Sequence, residues 1–136
     1  MTTQTNPTYA ALVLRLGLGI MFISHALLKI LVFTPSGTAG FFSSLGVPGW
    51  LAYPIMVAEL IGGIMLVLGV KTRLVSFALI PVLFGSIVLV HGAKGWQFAN
   101  EGGGWEYPLF LIVASIVMGL LGDGALSLRS LKSKTN

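Results

Sequence analysis

Four apolar runs, at residues 10–33, 51–70, 74–90 and 107–121, constrain this chain more than anything else in it. The hydrocarbon core of a bilayer is about 30 Å thick, and an α-helix needs roughly 20 mainly apolar residues to cross it. The first three runs approach that length, and Trp105 and Glu106 extend the fourth at its start. Composition points the same way: 55% of the residues are hydrophobic and only 9% are charged, which is not the balance of a soluble domain. The expectation is an all-α fold, an integral membrane bundle of four transmembrane helices at about 10–33, 51–70, 74–90 and 105–121, with a tail at about 122–136. Residues 1–136 then form one domain.

The opening "MTTQTNPTY" has no basic segment, and no small-x-small cleavage pattern follows the first apolar run, so that run reads as a retained helix rather than a cleaved signal. The chain has no cysteine. It therefore offers no disulfide, thiolate nucleophile, iron–sulfur cluster or dithiol relay, and any redox chemistry must use a bound molecule. A net charge of +4 would suggest nucleic acid in a soluble protein. Here the basic residues sit mainly at the ends of apolar runs, where membrane topology explains them, and no nucleic-acid partner is expected. A cytoplasmic amino terminus places Lys71, Arg73, Arg129, Lys132 and Lys134 inside, against Lys94 outside, so both termini are expected in the cytoplasm. The connections at 34–49 and 91–107 then lie on the opposite side. In the first of these, "GFFSSLG" puts Phe41, Phe42 and Leu45 on one face of a short helix at headgroup level, with Trp50, Trp96 and Trp105 as belt residues. Gly17 and Gly19 in the first run, and Ala58, Gly62 and Gly63 in the second, allow close helix contact, while Pro81 and Gly85 predict a kink in the third.

The stretch "SHALLK", residues 24–29, breaks the apolar pattern of the first run. On a 3.6-residue repeat Arg15, Phe22, His25 and Lys29 share a stripe, which must face protein because a basic group at the bilayer centre costs at least ~2.5 kcal/mol. Glu59 is the obvious partner: counted from the ends of their runs, His25 and Glu59 lie roughly 12 Å deep and Lys29 roughly 6 Å. His91 and Glu106 close and open the third and fourth runs near the same face, so four helices each bring a polar group towards one outward-facing pocket. Glu59, His25 and Lys29 are the candidate catalytic residues, as proton relay and ligand polarisers, with His91, Glu106, Trp105 and Phe22 as candidate ligand-binding residues. The competing structural reading makes Lys29 and Glu59 an ion pair that sets helix register. Arg15 is expected to pair with Asp123 at the cytoplasmic end, and Arg73 is likewise read as structural. No metal site is expected, because His91 and Glu106 belong to no spaced ligand motif, and haem fails because His25 and His91 differ in depth.

The motifs "LRLGLGIMFISHALLK", "FFSSLGVPGW", "AELIGGIMLVLGVKTRL", "LVHGAKGW" and "WEYPLFLI" occur in the order seen in the DoxX family, small four-helix bacterial membrane proteins that this chain resembles from about Leu12 to about Leu128. The resemblance implies residence in the bacterial cytoplasmic (inner) membrane. It also implies kinship with proteins that form part of a thiosulfate:quinone oxidoreductase or belong to oxidative-stress membrane complexes. The family's polar positions fall on Arg15, His25, Lys29, Glu59, Arg73, His91 and Glu106, and one departure is Ala26, where the family often has glycine after the first histidine.

Two functions then compete. One is the membrane subunit of a redox system, with no covalent cofactor but with a bound quinone between its helices and electrons supplied by a redox partner protein. The other is a non-catalytic scaffold or assembly subunit of an oxidative-stress or sulfur-oxidation complex. The expected partners are the lipid bilayer and either that redox protein or further copies of the chain. A transporter is a weaker reading, since a single bundle of this size has no inverted repeat.

Overall fold

The computed structural model describes residues 5–134, and all regular structure among them is helical. Residues 1–4 and 135–136, the latter the end of the expected tail, lie outside the described residues. The first helix, α1 (Thr5–Leu27), runs directly into a π-helical turn at Leu28–Val32. A short helix, α2 (Pro35–Ser44), and a 3₁₀ turn at Gly49–Leu51 lead into α3 (Ala52–Leu68). The third span comprises α4 (Thr72–Ala78), α5 (Ile80–Ser86), a second π turn at Ile87–His91 and a 3₁₀ turn at Gly92–Lys94. The last apolar helix is α6 (Glu106–Leu121), followed by α7 (Leu128–Lys134).

Three of these stretches, Asn6–Val32, Gly49–Leu68 and Thr72–Lys94, are long and apolar enough to cross a membrane, and Glu106–Leu121 is a shorter apolar helix. Each shows one face to its neighbours and one outward. Leu18, Phe22, Leu66, Leu79, Leu83, Leu111 and Met118 form the core, while Val13, Ile20, Val57, Ile61, Phe84, Val88, Phe110 and Leu120 are exposed. Such an apolar exterior suits a helix bundle whose solvent is lipid, because helices satisfy their own backbone polar groups there.

The closest helix contact is between α1 and α3. A Cβ at Gly19 would stand 2.8 Å from the Gly63 carbonyl, and one at Gly63 would stand 2.8 Å from the Gly19 carbonyl. Gly62 instead faces Leu79, and Gly17 faces open space. Small residues thus let two backbones touch where lipid supplies no hydrophobic drive of its own. The third span is interrupted at Leu79, two residues before Pro81, since proline brings no N–H to the helix ladder and its ring crowds the preceding turn.

At the end of the bundle that carries both described termini, Arg15 is 1% exposed. Its guanidinium does not reach the Asp123 carboxylate, as the sequence led us to expect, but donates to main-chain oxygens: Asp123 at 2.7 Å, Ala125 at 3.2 Å and Leu126 at 3.5 Å. The reason is positional. Asp123 Oδ1 accepts from the Thr72 N–H at 3.2 Å, supplying a cap to α4 that α4's own N-cap residue, Lys71, does not provide. Oδ2 lies 3.9 Å from Arg129. Arg15 passes so close to Gly69 that a Cβ there would overlap its guanidinium, and Gly69 ends α3 in the left-handed conformation. Arg73 packs over Gly122 at the same end.

Candidate functional site

At the opposite, loop-bearing end, the helices do not close on one another, and a cavity of about 580 Å³ remains between the α1–α2 wall and the third span. Its boundary is largely apolar: Met21, Phe22, Phe41, Phe42, Val82 and Leu111 are among the lining residues. Two imidazoles, an ammonium and a carboxylate also line it, from His25, His91, Lys29 and Glu59.

Lys29 and Glu59 form one unit. The Lys29 ammonium donates to both carboxylate oxygens of Glu59, at 2.8 and 2.6 Å. The Glu59 side chain is 5% exposed and that of Lys29 is 21% exposed, so the carboxylate is sealed behind the ammonium. Glu59 is carried inward by α3 on the face that also buries Met56, Gly62, Gly63 and Leu66. Lys29 lies in the first π turn, where Phe33 N–H bonds to the Leu28 carbonyl at 3.0 Å. A π turn inserts one residue into the helix, and it recurs at functional sites because it re-aims the side chains around it.

The second π turn, closed by Gly92 N–H on the Ile87 carbonyl, carries His91. His91 Nδ1 lies 2.8 Å from the Gly103 carbonyl oxygen. A carbonyl only accepts, so Nδ1 bears the hydrogen, and Nε2 of the neutral ring is left as an acceptor. His25, one turn before Lys29, makes no hydrogen bond with any described residue. It sits within electrostatic range of Lys29, Glu59 and His91.

Of the ligand-binding residues expected from sequence, Phe22 and His91 reach the cavity, and Glu106 and Trp105 do not. The loop brings residues 104–106 back against 95–97, with Trp105 N–H on the Gly95 carbonyl at 2.9 Å and Glu106 N–H on the Trp96 carbonyl at 3.0 Å. This pairing turns the Glu106 carboxylate to the Phe98 N–H, at 2.7 Å, and sets Trp105 edge-on against Trp96 with ring centroids 4.6 Å apart. Tyr107 and Pro108, each about 100° further round α6, line the cavity instead.

Phe41, Phe42 and Leu45, expected to float at headgroup level, line the cavity as well. α2 is folded over it by Thr38, whose hydroxyl lies 2.9 Å from the Thr34 carbonyl and 3.1 Å from that of Lys29. Thr34 caps α2 through its own hydroxyl, accepting from Gly37 N–H at 3.1 Å, from a backbone angle φ of 64° that is unusual for a residue with a Cβ. Sequence reading missed Thr38, Tyr107 and Pro108. The "TPSGT" start of α2 was the available signal, a proline at the first helical position behind a threonine cap. Among the described residues no three His, Cys, Asp or Glu side chains gather as a metal site would require.

Fold and site together define a multi-pass, all-α membrane protein with an apolar cavity floored by an ion pair and two imidazoles. The DoxX family model matches residues 10–92. A protein of Bacillus subtilis (strain 168) named "Putative oxidoreductase CatD" is 35% identical over 117 residues, 86% of this chain and 82% of its own length. The chain belongs to the DoxX family. No solved structure gives a significant match. The family match contains His25, Lys29, Glu59 and His91 and ends before Glu106.

Proposed function

We propose that this chain is the membrane subunit of a redox system, and that its cavity binds a quinone or a similarly flat apolar molecule with oxygen atoms at its edge. One observation carries the reading: an imidazole without a protein partner, His25, shares an apolar cavity with the Lys29–Glu59 pair. The His25 side chain is exposed, and with no hydrogen bond to a described residue its ring nitrogens are open to a ligand. The volume of about 580 Å³ lies within the usual range for small-molecule sites, roughly 300–1,000 Å³.

In this reading His25 and Lys29 donate to a carbonyl oxygen of the ligand, while Glu59 and the Nε2 of His91 are the groups able to take up its protons. A bound quinone would supply the two-electron chemistry that no side chain of a cysteine-free chain offers. Electrons would come from a partner protein. The name of the Bacillus relative is in keeping with a redox role, and the excess of basic residues at the closed end supports an orientation with both termini in the cytoplasm and the cavity towards the outer face. The test is calorimetric titration of the purified protein with a short-tailed quinone. His25→Leu should weaken binding about tenfold, the value of one hydrogen bond of ~1.4 kcal/mol, and leave the thermal transition in place. Equal affinity in the two proteins would remove His25 from the site.

A further inference from the structure

A second concavity, of about 720 Å³, lies outside the bundle along the lipid-facing side of α6. Its upper part is walled by Trp96, Phe98 and Tyr107 around Glu106, and its lower part by Phe110 and Val113. The two parts differ in chemistry. Phe110 is 68% exposed and begins a stripe continued by Val113, Val117 and Leu120, so the lower part opens on the acyl region of a bilayer. The upper part holds aromatic rings and one carboxylate, at the level where the chain leaves the membrane.

That carboxylate is held in place. Glu106 Oε1 accepts the Phe98 N–H at 2.7 Å, Phe98 stacks edge-on against Tyr107 with centroids 5.5 Å apart, and Trp96 is braced by Trp105. The pairing of 95–97 with 104–106 ties the whole rim to the first turn of α6. Among the described residues no cation forms an ion pair with Glu106. A fixed carboxylate ringed by aromatic faces attracts an organic ammonium, through charge and through the negative faces of the rings.

From this juxtaposition we infer that the groove is a site for a phospholipid with a primary-ammonium headgroup, of the phosphatidylethanolamine type. The ammonium sits at Glu106 between Trp96 and Tyr107, and an acyl chain lies over Phe110 and Val113. The carboxylate selects against anionic lipids, and the apolar lower wall selects a lipid over a free amine. The groove shares Tyr107 with the inner cavity, but Glu106 and Trp96 line the groove alone, so the inference does not rest on the quinone reading.

Native mass spectrometry of the full chain in detergent, with equimolar phosphatidylethanolamine and phosphatidylglycerol, tests the inference. The ethanolamine lipid should be retained roughly fivefold over the glycerol lipid, an exposed cation–π and charge contribution combined. Glu106→Gln keeps an acceptor for Phe98 N–H but loses the charge, and it should level the two lipids. Trp96→Ala, which leaves the Glu106 contact intact, should lower retention of the ethanolamine lipid in the same direction and serves if the glutamine variant misfolds. Equal retention of both lipids by the unmodified protein, or a preference unchanged in folded Glu106→Gln, overturns it.

Discussion

Lys29 and Glu59 are worth more as a pair than either is alone. Leaving one member of a buried ion pair without the other costs roughly 3–5 kcal/mol, whereas replacing both by apolar residues of similar volume is often neutral. Lys29→Met and Glu59→Met should therefore each destabilise the protein by about 3 kcal/mol, somewhat less for Glu59→Met because the freed ammonium is 21% exposed and can turn to water. The double variant should recover most of that loss in thermal unfolding, yet bind no quinone. Double-variant binding equal to that of the unmodified protein would make the pair a packing device only. Arg15 gives a contrasting case. Since its hydrogen bonds go to carbonyl oxygens, Arg15→Leu should cost on the order of 3 kcal/mol by orphaning them. Asp123→Asn, added to Arg15→Leu, should rescue nothing, because an amide oxygen still caps Thr72 and the lost partner was never the carboxylate. Partial rescue would mean that charge, not carbonyl capping, places Arg15. The sequence placed both arginine and aspartate at the correct end of the bundle, but which oxygen a guanidinium reaches depends on a turn with glycines 122 and 124 at positive φ, and hydropathy does not encode that.

At the scale of elements, apolar length and proline position were sufficient to find the three long apolar helices, the shorter fourth and the break before Pro81, because bilayer thickness and the missing proline N–H act locally. The two π turns were invisible, since a single inserted residue leaves an apolar run apolar. They matter here because each carries an ionisable residue of the cavity, Lys29 in one and His91 in the other. Glu106 was misplaced for a related reason: it opens α6 as expected, but its direction is set by the hydrogen bonds of a glycine-rich loop. Glycine pairs were readable as small and not as to which pair touches. The structure makes a sharp distinction. Gly63→Ala should cost about 1–3 kcal/mol, as overpacking against the Gly19 carbonyl forces α1 and α3 apart. Gly17→Ala, which meets nothing within 4 Å, should be neutral or stabilising by up to about 1 kcal/mol through helix propensity. Thermal unfolding of the two variants in the same detergent checks the pair, and equal losses would contradict the α1–α3 packing.

The whole molecule is asymmetric from end to end. The end with the termini is closed by hydrogen bonds of Arg15 and Asp123, and the other end is open around a cavity lined by His25, Lys29, Glu59 and His91. This asymmetry fits a site that communicates with one side of the membrane, which in the orientation proposed above is the exterior. The chain lacks cysteine, so single cysteines report topology cleanly. A cysteine at Ala99 should react with an impermeant thiol reagent in intact cells, and one at Ser133 should react only after lysis; the reverse pattern would invert the orientation. The class of fold was legible from apolar length alone, and two of the cavity's ionisable groups, His25 and Lys29, from the single helical stripe they share with Phe22. What the site holds was not, because an apolar cavity specifies shape and polarity more than identity. The central claim is that the cavity holds a small redox-active ligand, and the most direct measurement is mass spectrometry and absorption spectroscopy of the gently purified, full chain. The account predicts a quinone-like molecule bound near one per chain, and its loss from the His25→Leu variant at unchanged thermal stability. A cavity occupied only by lipid or detergent in the unmodified protein, or the same molecule retained by His25→Leu, would contradict it.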